Sequence, residues 1–135
     1  MKELAFRLER GDDLRSSIEE KCRQLNIDTA VVLSGVGCVY EARIRLADAS
    51  RHLEVTRDYE IVSLTGTVSK GEAHIHISLA DDTGACIGGH LEKGCLINTT
   101  GEIVLGILEE YSSDREYDEN TGYDEIVFRE VDKND

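Results

Sequence analysis

Alternation of apolar and polar side chains runs through most of this chain and predicts strands. Over residues 3–10, Leu4, Phe6 and Leu8 lie on one side and Ala5, Arg7 and Glu9 on the other, the pattern of a half-buried strand. Gly11 breaks it. Asp12 is then placed to cap a helix by accepting a hydrogen bond from a free N–H of the first turn. Leu14, Ile18, Cys22 and Leu25 fall on one helical face, which predicts a helix over residues 13–25, with Asn26 suited to a left-handed stop.

The remainder is strand-rich. Residues 29–33 form a continuous apolar run that ends at Ser34-Gly35-Val36-Gly37, read as a strand turn. Alternation resumes over 38–46. Residues 51–56 predict a short strand, 59–68 a strongly β segment and 73–80 the clearest alternating strand. Later strands are predicted over 86–91, over 96–108 with an interruption at Gly101, and over 123–131 after the turn Asn120-Thr121-Gly122. One helix against many strands argues an α+β fold with much of its sheet antiparallel. Neither a proline nor a linker divides the chain, so residues 1–135 are expected to form a single domain.

Composition narrows the functional classes. Aromatic residues make up 5% of the chain and Trp is absent, so the core must rest on Val, Ile, Leu and Ala. The formal net charge is -13, from 15 basic and 28 acidic residues. Nucleic acids are held largely by Lys and Arg that displace counterions from phosphates, so DNA binding by this chain alone is not expected. The best candidate basic patch is Arg43, Arg45, Arg51 and Arg57, diluted by Glu41, Asp48, Glu54 and Asp58. Residues 109–135 carry a balance of -8 and are expected to be a solvated, self-repelling segment. The sequence shows no apolar signal core and no membrane-spanning stretch, so a cytoplasmic protein with reduced thiols at Cys22, Cys38, Cys86 and Cys95 is expected.

The candidate chemistry lies in Gly71–Ala80. In a strand, Ala73, Ile75, Ile77 and Leu79 share one face, and Glu72, His74, His76 and Ser78 share the other. The two imidazoles then stand on one side with backbones roughly 6.5–7 Å apart. From there they can converge on one ion. Asp81-Asp82-Thr83-Gly84 reads as a turn, and counting outward from it sets His90 opposite residue 75 or 76. Gly88 and Gly89 before it permit close backbone approach. A divalent metal held by His74, His76 and His90 is therefore expected, zinc first among metals that favour imidazole. The alternative is three surface or core-satisfied histidines. Glu72 is open between a fourth ligand, a partner to a ligand, a general acid/base and a solvated strand-edge carboxylate. Cys86 and Cys95 flank His90 and are read as structural thiols rather than ligands. His52 is expected to be exposed.

Together these segments carry a resemblance. Arg7–Leu14, Ser34–Gly37, Tyr59–Thr67, and His74-Ile75-His76 running on to Gly88-Gly89-His90-Leu91 resemble, in order and spacing, the plants-and-prokaryotes-conserved (PPC) domain over residues 3–131. The resemblance implies a strongly curved, mostly antiparallel sheet with one main N-terminal helix, assembled as a homotrimer. For stand-alone prokaryotic members it implies a metal on the histidines that match His74, His76 and His90. It also implies a distant fold kinship with acetolactate decarboxylase, whose zinc is likewise held by histidines. Plant members bind DNA through separate AT-hook segments, whose Arg-Gly-Arg-Pro core a chain without proline cannot contain.

Two functional readings follow. One is a metal-dependent enzyme acting on a small metabolite, with Glu72 as its acid/base. The other is a trimeric regulatory or DNA-associated module with a structural metal, which needs a basic partner to engage nucleic acid. The long apolar run from Cys95 to Leu108 supplies a motive for assembly, unless it is simply the central core strand.

Overall fold

The computed structural model describes residues 1–132. Its elements are β1 (Lys2–Glu9), α1 (Leu14–Gln24), β2 (Thr29–Arg45), β3 (His52–Ser69), β4 (Glu72–Ala80), β5 (Cys86–Leu91), β6 (Leu96–Ile107), β7 (Tyr111–Asp118) and β8 (Tyr123–Glu130). One sheet has the order β1-β6-β2-β3-β4-β5, and a second consists of β7 and β8. Every strand pairing is antiparallel. The fold is thus a mostly antiparallel β structure with one helix, as the alternation pattern predicts.

The sheet does not stay open. The edge of β2 away from β3 is shared by two strands. β6 pairs with it from Ala30 to Glu41, and β5 takes over at Ile44 and Arg45. Because β5 is also the last strand after β3 and β4, the pairing curls β2-β3-β4-β5 back on itself. Register shifts between Val32 and Ser34, Gly37 and Cys38, and Val39 and Glu41 bend the 17-residue β2 as this closure requires.

This bending corrects one expectation. Ser34-Gly35-Val36-Gly37 is not a turn but the middle of β2. Gly37 lies opposite Gly101 of β6 with φ +149°, and a Cβ there would lie 2.0 Å from the Thr100 carbonyl oxygen. Glycine serves close strand approach here. Gly101 likewise does not interrupt β6, and residues 51–56 and 59–68 merge into the single strand β3.

The helix is capped one residue later than expected. The Asp13 carboxylate accepts from the Ser16 N–H at 2.9 Å, whereas Asp12 accepts from the Glu9 N–H at 2.7 Å and so closes the preceding turn. Leu14, Ile18 and Cys22 are buried, but Leu25 falls at the C-cap and is exposed. Asn26 has φ 53°, the expected left-handed stop. The helix packs on β4 and β6, over a core that includes Ile75, Leu79, Leu91 and Ile97.

Two further expectations concern the second half of the chain. Within Cys95–Leu108, Cys95, Ile97, Ile103 and Leu105 are buried inside one chain, so much of this run is hidden by the fold itself. Most described residues of the acidic segment are exposed, as expected, and 111–118 and 123–130 within it form a hairpin in register from Tyr111↔Glu130 to Asp118↔Tyr123, whose second strand is the one predicted over 123–131. Its Ser113 N–H donates to Asp28 at 2.8 Å, and Lys70 reaches Asp114 at 2.8 Å, which fastens the hairpin to the main sheet. The end of the segment, 133–135, lies outside the described residues.

Candidate metal centre

Strand pleat places the first two histidines. Ala73, Ile75, Ile77 and Leu79 are buried, so His74 and His76 are turned to the opposite, exposed face of β4. The turn at 81–85 then returns the chain as β5, with His90 directly opposite His76. The glycine pair makes the return tight. A Cβ on Gly89 would come within 2.6 Å of the Arg45 carbonyl oxygen, and one on Gly88 within 2.9 Å of the Ile77 carbonyl oxygen. Gly89 thereby lets β5 lie between β4 and the end of β2, where His90 faces Arg45 in register.

The imidazoles converge. Ring centroids are 5.3 Å apart for His74 and His76, 5.4 Å for His74 and His90, and 5.8 Å for His76 and His90. One ring nitrogen from each lies within 4.8 Å of the others, and no other such group of potential ligands occurs among the described residues. The His90 Nδ1 is buried without a hydrogen-bond partner. An unpaired buried nitrogen is costly, and coordination would satisfy it. Desolvation and then the charge of Arg45 push the His90 imidazole down to about 4, while desolvation and then His76 lower that of His74. Both effects favour the neutral ring, which is the form that ligates metal. A set of neutral nitrogens fits zinc and its neighbours in the first transition series, not calcium or magnesium.

The other candidates fall outside this cluster. The Glu72 carboxylate is mostly exposed and lies 3.4 Å from the Arg115 Nε. Cys95 is buried, its thiol pushed up to about 11 by desolvation, and Cys86 is exposed. His52 is exposed, with Nε2 3.5 Å from Glu92. Of the anticipated basic patch, Arg43 pairs with Glu54, Arg51 with Asp48 and Arg57 with Asp81 and Asp82. Local carboxylates thus neutralise three of its four members.

His74 and His90 border a cleft of about 340 Å³ that also takes in Arg15, Arg45, Glu72 and Arg115, with Tyr123, Asp124 and Glu125 from the hairpin. Sequence reading did not anticipate the hairpin's part. It also missed Glu19, a buried carboxylate on α1 that accepts from the Ala73 N–H at 2.9 Å, and Arg15, which donates to the Leu91 carbonyl at 3.1 Å. These two residues hold the backbone next to His74 and next to His90. A signal existed in their i,i+4 spacing beside the apolar stripe of the helix.

Fold and site together define a small antiparallel β domain that carries a three-histidine cluster beside a charged cleft. Residues 1–109 match the Plants and Prokaryotes Conserved (PCC) domain, and the chain belongs to that family. It is 40% identical over 126 residues to the bifunctional protein GlmU of two Synechococcus strains, covering 93% of this chain but only 20% of those proteins. It therefore spans about a fifth of the curated relatives it matches. A hypothetical protein from Salmonella superposes with a TM-score of 0.92 at 28% identity, covering 96% of this chain and 94% of that one. The metal-containing protein AF0104 from Archaeoglobus fulgidus superposes with a TM-score of 0.82 at 32% identity, covering 94% of each chain. A Bacteroides thetaiotaomicron structure provisionally named as DNA-binding has a TM-score of 0.82 and covers 93% of this chain and 91% of that one, but at 20% identity it shows the fold alone.

Proposed function

We propose that this chain is a metal-binding PCC-domain protein whose His74, His76 and His90 hold one divalent transition metal, zinc first, at a centre that acts on a small metabolite. The observation that carries this reading is the convergence of three ring nitrogens within 4.8 Å, one histidine having a buried Nδ1 without a partner. The metal-containing name of the Archaeoglobus neighbour supports it. A metal there would supply a Lewis acid and an acidified water.

The protein's own residues supply the rest. Two imidazoles are fixed by the pleat of β4 and one by β5, so the cluster sits on a rigid sheet. Arg115 holds the Glu72 carboxylate at the rim of the cleft that His74 and His90 border. At that place Glu72 is the group to take or return a proton on a bound ligand. Elemental analysis of protein purified without added metal tests the centre. About one transition metal per chain is expected, and none for a His74→Ala/His76→Ala variant. Equal metal content in both proteins counts against the site.

A second reading has separate support. Leu33, Val36 and Val62 are exposed on β2 and β3, and the Synechococcus relatives contain this module as a fifth of a longer chain. Both suit a regulatory or assembly module, a homotrimer with a structural metal. With a net charge of -13, such a module would need a basic partner to engage DNA. Light scattering at micromolar concentration tests the assembly, where a monomer excludes it. A gel shift at low salt tests the partner requirement, and tight binding by the chain alone contradicts it.

A further inference from the structure

We propose that the cleft beside the histidine cluster binds a small anionic metabolite, a carboxylate or phosphate ester, with Arg45 as the anchor for its oxyanion. The proposal rests on the metal reading above and adds the class of ligand.

Arg45 is the observation that leads to it. Seen along the chain, it is one of four arginines on or beside β2 and β3. The fold neutralises Arg43, Arg51 and Arg57 with carboxylates and leaves Arg45 without one. Its guanidinium makes no hydrogen bond or ion pair to any described residue. The chain carries 28 acidic residues, so a carboxylate could readily have been set beside it. The other two arginines of the cleft are engaged: Arg15 with Glu19 and the Leu91 carbonyl, Arg115 with Glu72. Arg45 is half-buried, but none of its guanidinium nitrogens is among the buried unpartnered atoms, so they stay open to a ligand that enters the cleft.

Position gives the unpaired charge a use. Arg45 faces His90 across the β2–β5 pairing, and both residues line the same cleft. A ligand oxygen held by the guanidinium is thereby kept beside the histidine centre. Arginine is suited to this task, since its planar fork matches carboxylate and phosphate with two parallel hydrogen bonds.

Charge specifies the ligand further. Arg15 has Glu19 and Glu92 beside it and Arg115 has Glu72, so among the arginines that line the cleft Arg45 is the one whose charge a ligand can meet. A divalent metal on the histidines would add a second positive group to the same cleft. An oxyanion can answer both, whereas a neutral sugar or alcohol would leave Arg45 uncompensated. The volume of about 340 Å³ admits a small metabolite rather than a polymer.

Titration calorimetry on the zinc-loaded chain tests this, with succinate and methyl phosphate as the two oxyanion probes and succinamide as the uncharged control. At least one anion is expected to bind at one site per chain, with no heat from succinamide. Arg45→Gln should weaken that binding at least tenfold, and Arg45→Lys should weaken it less. Both variants should retain the wild-type zinc content and melting temperature. The stronger probe tells a carboxylate ligand from a phosphate one. No anion binding to a chain that holds zinc overturns the proposal, as does unchanged affinity in a folded Arg45→Gln variant. A chain that takes up no zinc overturns the metal reading instead. In that case the same titration on the metal-free protein decides this one: Arg45-dependent anion binding sustains it, and its absence overturns it.

Discussion

The carboxylate of Glu19 accepts a hydrogen bond from the backbone N–H of Ala73 at 2.9 Å, so the helix grips β4 one residue before His74. Both residues are buried. Removing the acceptor leaves the Ala73 N–H without a partner, which costs about 1–3 kcal/mol. Glu19→Ala is expected to lower stability by that amount in urea unfolding and to weaken zinc binding, because His74 loses its fixed backbone. Glu19→Gln retains a carbonyl acceptor and should lose less of both.

Gly89→Ala tests the return that carries His90. The added methyl would meet the Arg45 carbonyl oxygen at 2.6 Å, a rigid backbone atom. The β2–β5 pairing must then part. Thermal melting should fall by the equivalent of roughly 1–3 kcal/mol, and zinc affinity should drop with it. An alanine that leaves both unchanged would show that β5 has room to spare.

Gly37→Ala probes the β2–β6 pairing, to which none of the three histidines belongs. The left-handed φ and the 2.0 Å approach to Thr100 both oppose a side chain. A loss of roughly 2–4 kcal/mol is expected by denaturant unfolding. Protein that still folds should retain its metal.

Chelation offers a measurement on the unmutated chain. A ligand present at a hundredfold excess over its Kd stabilises the folded state by about 2.7 kcal/mol. For a domain of this size, that corresponds to roughly 10 °C in Tm. Removal of zinc by a chelator should lower Tm by about this much, and zinc should restore it. His90→Ala should melt at the same temperature with and without the chelator.

The hairpin should loosen in acid. The Lys70 hydrogen bond holds the Asp114 carboxyl below its ordinary 3.8. A group with a depressed folded pKa contributes stability above its unfolded pKa and loses it as pH falls through the folded value. The contribution of this pair is therefore present above pH 3.8 and fades below it. Hydrogen-exchange protection on β7 and β8, taken relative to the intrinsic rate at each pH, should fall below that pH in the wild type. Asp114→Asn should lack this step, and its exchange should already be faster at neutral pH.

Much of the site was legible because a strand's side-chain period is two. His74-Ile75-His76 could place its imidazoles on one face whatever the rest of the fold did, and Asp81–Gly84 marked the turn from which His90 could be counted. The same local rules misread Ser34–Gly37, since a glycine that serves a turn and one that serves close strand approach look alike until the neighbouring strand is in place. They also missed β7, whose residues YSSDREYD carry too few apolar side chains to show alternation.

The sequence by itself determined the helix, most of the strands, the acidic character and the shared face of His74 and His76. Each of these depends on residues within a turn or a pleat of one another. Tertiary structure alone decided that β5 would close on β2, that Glu19 would reach Ala73, and that Arg45 would be left unpaired beside His90. These are contacts between residues 45–54 positions apart, and which charges are cancelled depends on what the folded sheet brings alongside them.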